Sequence, residues 1–153
     1  MSQFIDRALN YGEIKLIDGG TARRVFLYVS DAVEMLLNLL TSAEGPVYNI
    51  GGPAVCNASQ GYNLNGETAI LTLARKIGEI IKVPVKIPGD TRQPGVSRIA
   101  NGGVPGAPMH VGLDIGRYLR EMGDKPFVQL DEGLRHTIAW HRALMGEKVG
   151  AAA

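Results

Sequence analysis

With 153 residues, 45% of them apolar and 20% charged, the chain is the size of one soluble globular domain with a real core. A formal net charge of +1 leaves no electrostatic footprint for nucleic acid or an anionic membrane. No apolar run reaches the roughly 18 to 20 residues that a membrane-spanning helix needs. The opening segment has Phe4, Ile5, Ala8 and Leu9 at amphipathic spacing, without the basic start and long apolar stretch of a signal peptide. The single cysteine, Cys56, cannot form an internal disulfide, so a reducing cytoplasm is the expected compartment. Residues 1–150 read as one domain, and Ala151-Ala152-Ala153 as a cloning scar outside the fold.

In chain order, Ser2 to Asn10 is expected to be a short helix. Ile14 to Ile17 alternates as a strand, and Asp18-Gly19-Gly20 is a turn joining it to a second strand at Phe26 to Val29. Ser30 and Asp31 then supply an N-cap, with Glu34 placed as in a capping box. From there to about Ser42, Val33, Leu36, Leu37 and Leu40 share one helical face, widened by Ala32, Met35 and Leu39. A helix this apolar must be covered on more than one side. Gly45-Pro46 breaks it, and Val47 to Ile50 is a continuous apolar run of the kind that forms interior strands.

Gly51 to Gly66 is a long loop by composition. Glu67 to Lys82 is the clearest helix: Ile70, Leu73, Ala74, Ile77, Ile80 and Ile81 lie on one face, Arg75, Lys76, Glu79 and Lys82 on the other, and Pro84 ends it. Val83 to Ile87 is a short β-rich run. Pro88 to Pro108 is a second long loop, rich in Gly, Pro and Asn. Val111 to Ile115 reads as a brief strand, Asp114 as the cap of a short helix through Met122, and Asp131 to about Met145 as a terminal helix with Leu134, Ile138 and Met145 inward.

Five of these stretches, in this order, carry a resemblance. They are Arg24-x-Phe26-x-Tyr28-Val29-x-Asp31 before an apolar helix; Val47-Tyr48-Asn49-Ile50-Gly51; the helix from Thr68 to Ile81; Leu113-Asp114-Ile115; and Leu130-Asp131-Glu132-Gly133-Leu134 with Thr137-Ile138. The chain resembles the C-terminal, substrate-binding half of NAD-dependent sugar-nucleotide epimerase/dehydratases, in the extended short-chain dehydrogenase/reductase family. That resemblance implies an α/β fold of about five helices with short strands, lacking the N-terminal Rossmann nucleotide-binding half. It also makes both long loops insertions relative to the family's usual connections.

The catalytic equipment of such enzymes is not expected here. A Gly-rich loop after an N-terminal strand brings backbone N–H groups up to a pyrophosphate; the nearest approach, Gly103-Val104-Pro105-Gly106, is mid-chain and lacks a strand-turn-helix around it. The family's acid/base pair is Tyr-x-x-x-Lys on a helix. Tyr11 and Lys15 have that spacing, but Gly12 interrupts it and Lys15 enters a strand, where i and i+4 lie about 13 Å apart. No catalytic residue and no cofactor bound by this chain are therefore expected, NAD belonging to the parent family.

His136 and His141 are i, i+5 on the terminal helix and diverge, so with His110 they make no metal site, and Cys56 has no partner by spacing. What the resemblance does imply is a nucleoside-diphosphate-sugar site in which arginines clamp the diphosphate, a task suited to the guanidinium fork. Arg24 stands at one family arginine position, with Arg23 beside it. The second family arginine is replaced by Val104 in one alignment, while another makes Arg92 the nearest substitute, with Arg98 behind it.

Two functions follow from the resemblance. One is a sugar-nucleotide-binding part that cannot transfer hydride alone; the other is a remnant whose site is lost and which acts as a self-associating interaction module. Either way the helix through Leu40 and the run at Val47 to Ile50 would be left uncovered. The expected partners are accordingly a second copy in a homo-oligomer or a missing N-terminal part, and neither nucleic acid nor membrane.

Overall fold

The computed structural model describes residues 1–53, 55–57, 61–63, 67–88 and 108–150. In chain order the elements are α1 (Ser2–Tyr11), β1 (Ile14–Lys15), β2 (Arg23–Val25), α2 (Val29–Ser42), β3 (Val55–Asn57) and β4 (Gly61–Asn63). There follow β5 (Glu67–Ala69), α3 (Ile70–Ile81), β6 (Val85–Lys86), β7 (His110–Val111), α4 (Gly116–Met122) and α5 (Leu130–Gly150). This is an α/β chain of five helices and short strands among the described residues, as the sequence implied. None of these helices is long and apolar enough to cross a membrane. The chain forms two compact units, one of residues 1–22, 69–109 and 131–153, the other of residues 23–68 and 110–130.

In the first unit β1 and β6 pair in parallel, Ile14 opposite Val85 and Lys15 opposite Lys86. α1 packs on α3, which is also in contact with β6. The apolar spacing read from the sequence is what is buried: Ile5 and Ala8 of α1, Ile14 and Leu16 at β1, Leu73, Ala74 and Ile77 of α3, Leu134 and Ile138 of α5. α1 ends at Gly12, whose left-handed φ of 67° closes the last turn through its N–H on the Ala8 carbonyl. Gly20 has a φ of 64°, takes its N–H to Asp18 Oδ1 at 2.7 Å, and lies so close to α3 that a Cβ there would sit 2.8 Å from the Leu71 nitrogen. This is a turn that only glycine fits without strain. It joins strands of different sheets, not the two arms of a hairpin.

In the second unit the sheet order is β5-β2-β7, with β2 and β7 parallel. Its core is Met35, Ile115 and Tyr118, against which Leu27, Leu39, Tyr48, Ile50, Leu119, Met122 and Phe127 pack. Burying Met35 completely stabilises the unit by about 1.5–3 kcal/mol relative to leaving it in water.

The structure departs from the sequence expectations at several elements. The second strand is Arg23–Val25, not Phe26 to Val29, because its ladder partner β7 is two residues long and sits opposite Arg23 and Arg24. α2 therefore starts at Val29 with Tyr28 as N-cap, and no side chain caps it. Asp31 lies inside the first turn, buried, where its carboxylate accepts the Val128 N–H at 3.0 Å and pairs with Lys125 at 3.3 Å. Glu34 pairs with Lys125 at 2.6 Å and closes no capping box.

Met35 is the inward side of α2, whereas Val33, Leu36, Leu37 and Leu40 face solvent. Val47 to Ile50 joins no sheet among the described residues. Side chains hold it instead: the Tyr48 hydroxyl accepts the N–H groups of Glu44 and Gly45 and donates to Glu121, Asn49 Nδ2 donates to the Asp114 carbonyl, and Arg117 donates to the Val47 carbonyl.

α3 begins three residues later than expected, since Glu67–Ala69 is drawn into the sheet as β5. The loop expected at Gly51 to Gly66 contains an antiparallel hairpin of β3 and β4, and Arg92, Arg98 and Gly103 to Gly106 lie outside the described residues. Asp114 does serve α4, accepting the Gly116 N–H at 2.8 Å.

Candidate functional site

β2 carries two of the three arginines singled out for a diphosphate. The β2–β7 register sets Arg23 opposite His110 and Arg24 opposite Val111. Successive residues of a strand point to opposite faces, so Arg23 and Arg24 cannot grip one group side by side from this strand. Arg23 is committed to Glu67: its Nε donates to Glu67 Oε2 at 2.8 Å and its Nη2 to the Glu67 carbonyl at 3.2 Å. The other carboxylate oxygen, Oε1, bonds His110 Nδ1 at 2.8 Å. Burial alone would push the Glu67 carboxyl up, but the hydrogen bonds from Arg23 and His110 outweigh it and hold the group below the ordinary 4.5.

Arg24 is half-buried on the same strand and donates from Nη1 to the Arg23 carbonyl at 2.6 Å. Of the expected trio, then, Arg23 works inside the sheet, Arg24 is a cation at the sheet beside it, and Arg92 lies outside the described residues.

His110 is what sequence reasoning missed. The sequence offers it only as a metal ligand with His136 and His141, which sit on α5, His141 ring-to-ring with Trp140. A glutamate 43 residues away that orients its Nδ1 leaves no local signature, and only the strand pairing brings the two together. Among the described residues no group of three or more His, Cys, Asp and Glu side chains is arranged to hold a metal ion.

A concave feature lies wholly in the first unit, just past the C-terminal ends of the parallel strands β1 and β6. It is a cavity of about 340 Å³ lined by the cations Arg7, Lys15 and Lys86 and by apolar Leu16, Ile17 and Ile87. The ladder bonds Ile14 N–H to Pro84 O and Leu16 N–H to Lys86 O, 3.0 and 2.9 Å, fix its floor. Lys86 is ion-paired to Glu13, whose carboxyl is held below its ordinary value by that hydrogen bond. Crevices at the carboxyl ends of parallel strands are where α/β sheets take ligands. The lining suits an anion that carries an apolar or planar part.

The described strand-to-helix junctions do not fit a dinucleotide pyrophosphate. β2 runs into α2 through Phe26-Leu27-Tyr28, and β5 into α3 with no residue between, so neither offers a glycine turn. At α4, Asp114 already places a carboxylate on the first N–H. Tyr11 closes α1 and Lys15 belongs to β1, so the Tyr-x-x-x-Lys spacing is split between two elements.

Comparison with known proteins shows what this short-stranded α/β chain is similar to. Residues 1–51 match the NAD dependent epimerase/dehydratase family. UDP-glucuronic acid decarboxylase 6 of Arabidopsis thaliana is 31% identical over 134 residues, 88% of this chain and 32% of that protein. dTDP-D-glucose 4,6-dehydratase of Mus musculus is 30% identical over 124 residues, 80% of this chain and 30% of that protein.

Among solved structures, the UDP-glucose 4-epimerase of Thermotoga maritima with UDP-glucose superposes with a TM-score of 0.66 at 22% identity, covering 94% of this chain and 39% of that one. An NAD-dependent NDP-hexosamine 5,6-dehydratase of tunicamycin biosynthesis gives 0.67 at 18% identity, covering 92% and 38%. The chain is thus similar to the NAD dependent epimerase/dehydratase family and spans about a third of the length of the curated relatives it matches.

Proposed function

We propose that this chain is the nucleoside-diphosphate-sugar-binding portion of an epimerase/dehydratase-like protein, without hydride transfer of its own. The observation that carries the reading is the agreement of the relatives: those matched over most of this chain are named for reactions of UDP- and dTDP-sugars. The chain's own residues support it. Arg24 places on β2 a guanidinium of the kind suited to phosphate oxygens, and the crevice of Arg7, Lys15 and Lys86 in the first unit is a separate cationic candidate by itself.

The lack of a cradle for the dinucleotide at the described strand-helix junctions, and the placing of Tyr11 and Lys15 on different elements, support the part of this reading that leaves hydride transfer out. The exposed apolar side of α2 favours a second role beside this one, association with another polypeptide.

Thermal unfolding with UDP-, dTDP- and GDP-sugars, and with NAD in a parallel sample, tests the proposal. A ligand at 100 times its dissociation constant stabilises the native state by about 2.7 kcal/mol, a shift of several degrees. A shift with a sugar nucleotide and none with NAD is expected. A shift with NAD alone would overturn the reading.

A further inference from the structure

Lys15 and Lys86 are register partners in the parallel β1–β6 pair. Their side chains therefore leave the two-stranded sheet on the same face, where like charges on neighbouring strands repel. Arg7 of α1 brings a third cation to the same cavity of about 340 Å³, its guanidinium carbon 5.8 Å from the centre of the Tyr11 ring. Against these three stands one carboxylate, Glu13, ion-paired to Lys86. It is held below its ordinary value of 4.5 first by the Lys86 hydrogen bond, then by the charges of Lys86, Lys15 and Arg7.

The core does not require this arrangement. Ile14 and Leu16 turn inward and are buried, whereas Lys15 between them is exposed. On the wall of the same cavity Ile17 is 93% exposed and Ile87 44%. Two isoleucines thus stand in water beside cations that one carboxylate does not balance.

We propose that this cavity is a binding site for an organic phosphate, a monoester whose dianion is held by Arg7, Lys15 and Lys86 and whose apolar group covers Ile17 and Ile87. Three cations less Glu13 leave two positive charges, which match a phosphate monoester above its second ionisation at about pH 6. A carboxylate monoanion would leave one of them uncompensated. Phosphate between Lys15 and Lys86 relieves their repulsion, and the Arg7 guanidinium can take two of its oxygens. A cavity of this volume is at the small end of ligand pockets, so it suits a compact group such as a single ring. Glu13 acts as an internal competitor, since a phosphate must share Lys86 with it. Arg24 belongs to the other unit, and this site stands or falls independently of sugar-nucleotide binding.

Isothermal titration calorimetry of phenyl phosphate and of inorganic phosphate into the full chain at about pH 7.5 tests the site. Saturable binding of phenyl phosphate is expected, tighter than that of inorganic phosphate. Lys15→Ala should weaken it about tenfold or more, and Glu13→Gln should strengthen it. Circular dichroism verifies that both variants keep their helices.

No saturable heat with phenyl phosphate up to about 10 mM overturns the proposal, as does a Lys15→Ala variant that binds as tightly as the parent. Should Lys15→Ala not fold, Glu13→Gln still decides, since binding no tighter than the parent's overturns the proposal. Equal affinity for the two phosphates overturns the part given to Ile17 and Ile87. Excess UDP-glucose should leave the phenyl phosphate isotherm unchanged. Displacement by it would assign the cavity to the sugar nucleotide and overturn the independent site.

Discussion

Arg23 and His110 face each other across the parallel β2–β7 pair and take one oxygen each of the same Glu67 carboxylate, at 2.8 Å in both cases. One acid from β5 thereby ties the side chains of three adjacent strands. The main-chain ladder between β2 and β7 is only two residues long, so this clasp supplies much of what fixes their register.

Glu67→Gln is expected to destabilise the chain by about 1–3 kcal/mol at neutral pH, since it removes the charge from two charge-assisted hydrogen bonds at a largely buried group. The sign with pH follows from the depressed carboxyl. Its stabilisation is fully present above the ordinary value of 4.5 and is lost as pH falls through the lower folded value. Urea unfolding should show a gap between parent and Glu67→Gln at about pH 5.5 that shrinks toward pH 3. A gap that persists undiminished at pH 3 would refute the account of the clasp.

Asp31 and Glu34 both pair with Lys125, and they should differ sharply. Asp31 is buried and also accepts the Val128 N–H, so Asp31→Ala strands that donor and removes one of the two carboxylates on a Lys125 side chain that is only 11% exposed. A loss of about 3 kcal/mol is expected. Glu34 is exposed, and Glu34→Ala should cost about 0–1 kcal/mol. Chemical denaturation of the two variants checks the order.

Gly20→Ala should cost more than about 1 kcal/mol, because the left-handed φ and the approach of Leu71 leave no room for a methyl group. Gly146→Ala, on α5 with nothing within 4 Å of the added carbon, should instead stabilise by up to about 1 kcal/mol. Thermal midpoints moving in opposite directions would bear this out.

The helices were legible where one face alone is apolar. In α1 and α3 the 3.6-residue period named the residues that are buried, Ile5 and Ala8, then Leu73, Ala74 and Ile77, and the glycine after α1 marked its end. α2 misled because it is apolar nearly all round: period alone cannot say which face meets the core, and Met35, read as the margin, is the centre.

Strands of two or three residues were misplaced for a different reason. Which residues pair depends on what arrives opposite them, so β2 fell on Arg23–Val25, and Val47 to Ile50, strand-like in composition, found side-chain bonds in place of a ladder. At the candidate site the engagement of Arg23 by Glu67 and the position of His110 were not readable. Both depend on contacts more than 40 residues apart.

Isothermal titration calorimetry of UDP-glucuronate, UDP-glucose and dTDP-glucose into the parent chain and into Arg24→Ala tests the central claim most directly. The account predicts saturable binding of at least one sugar nucleotide by the parent, weakened tenfold or more in Arg24→Ala, a loss of about 1.4 kcal/mol, with the thermal midpoint of the variant close to that of the parent. No saturable heat with any of the three, or equal affinity in Arg24→Ala, would contradict it.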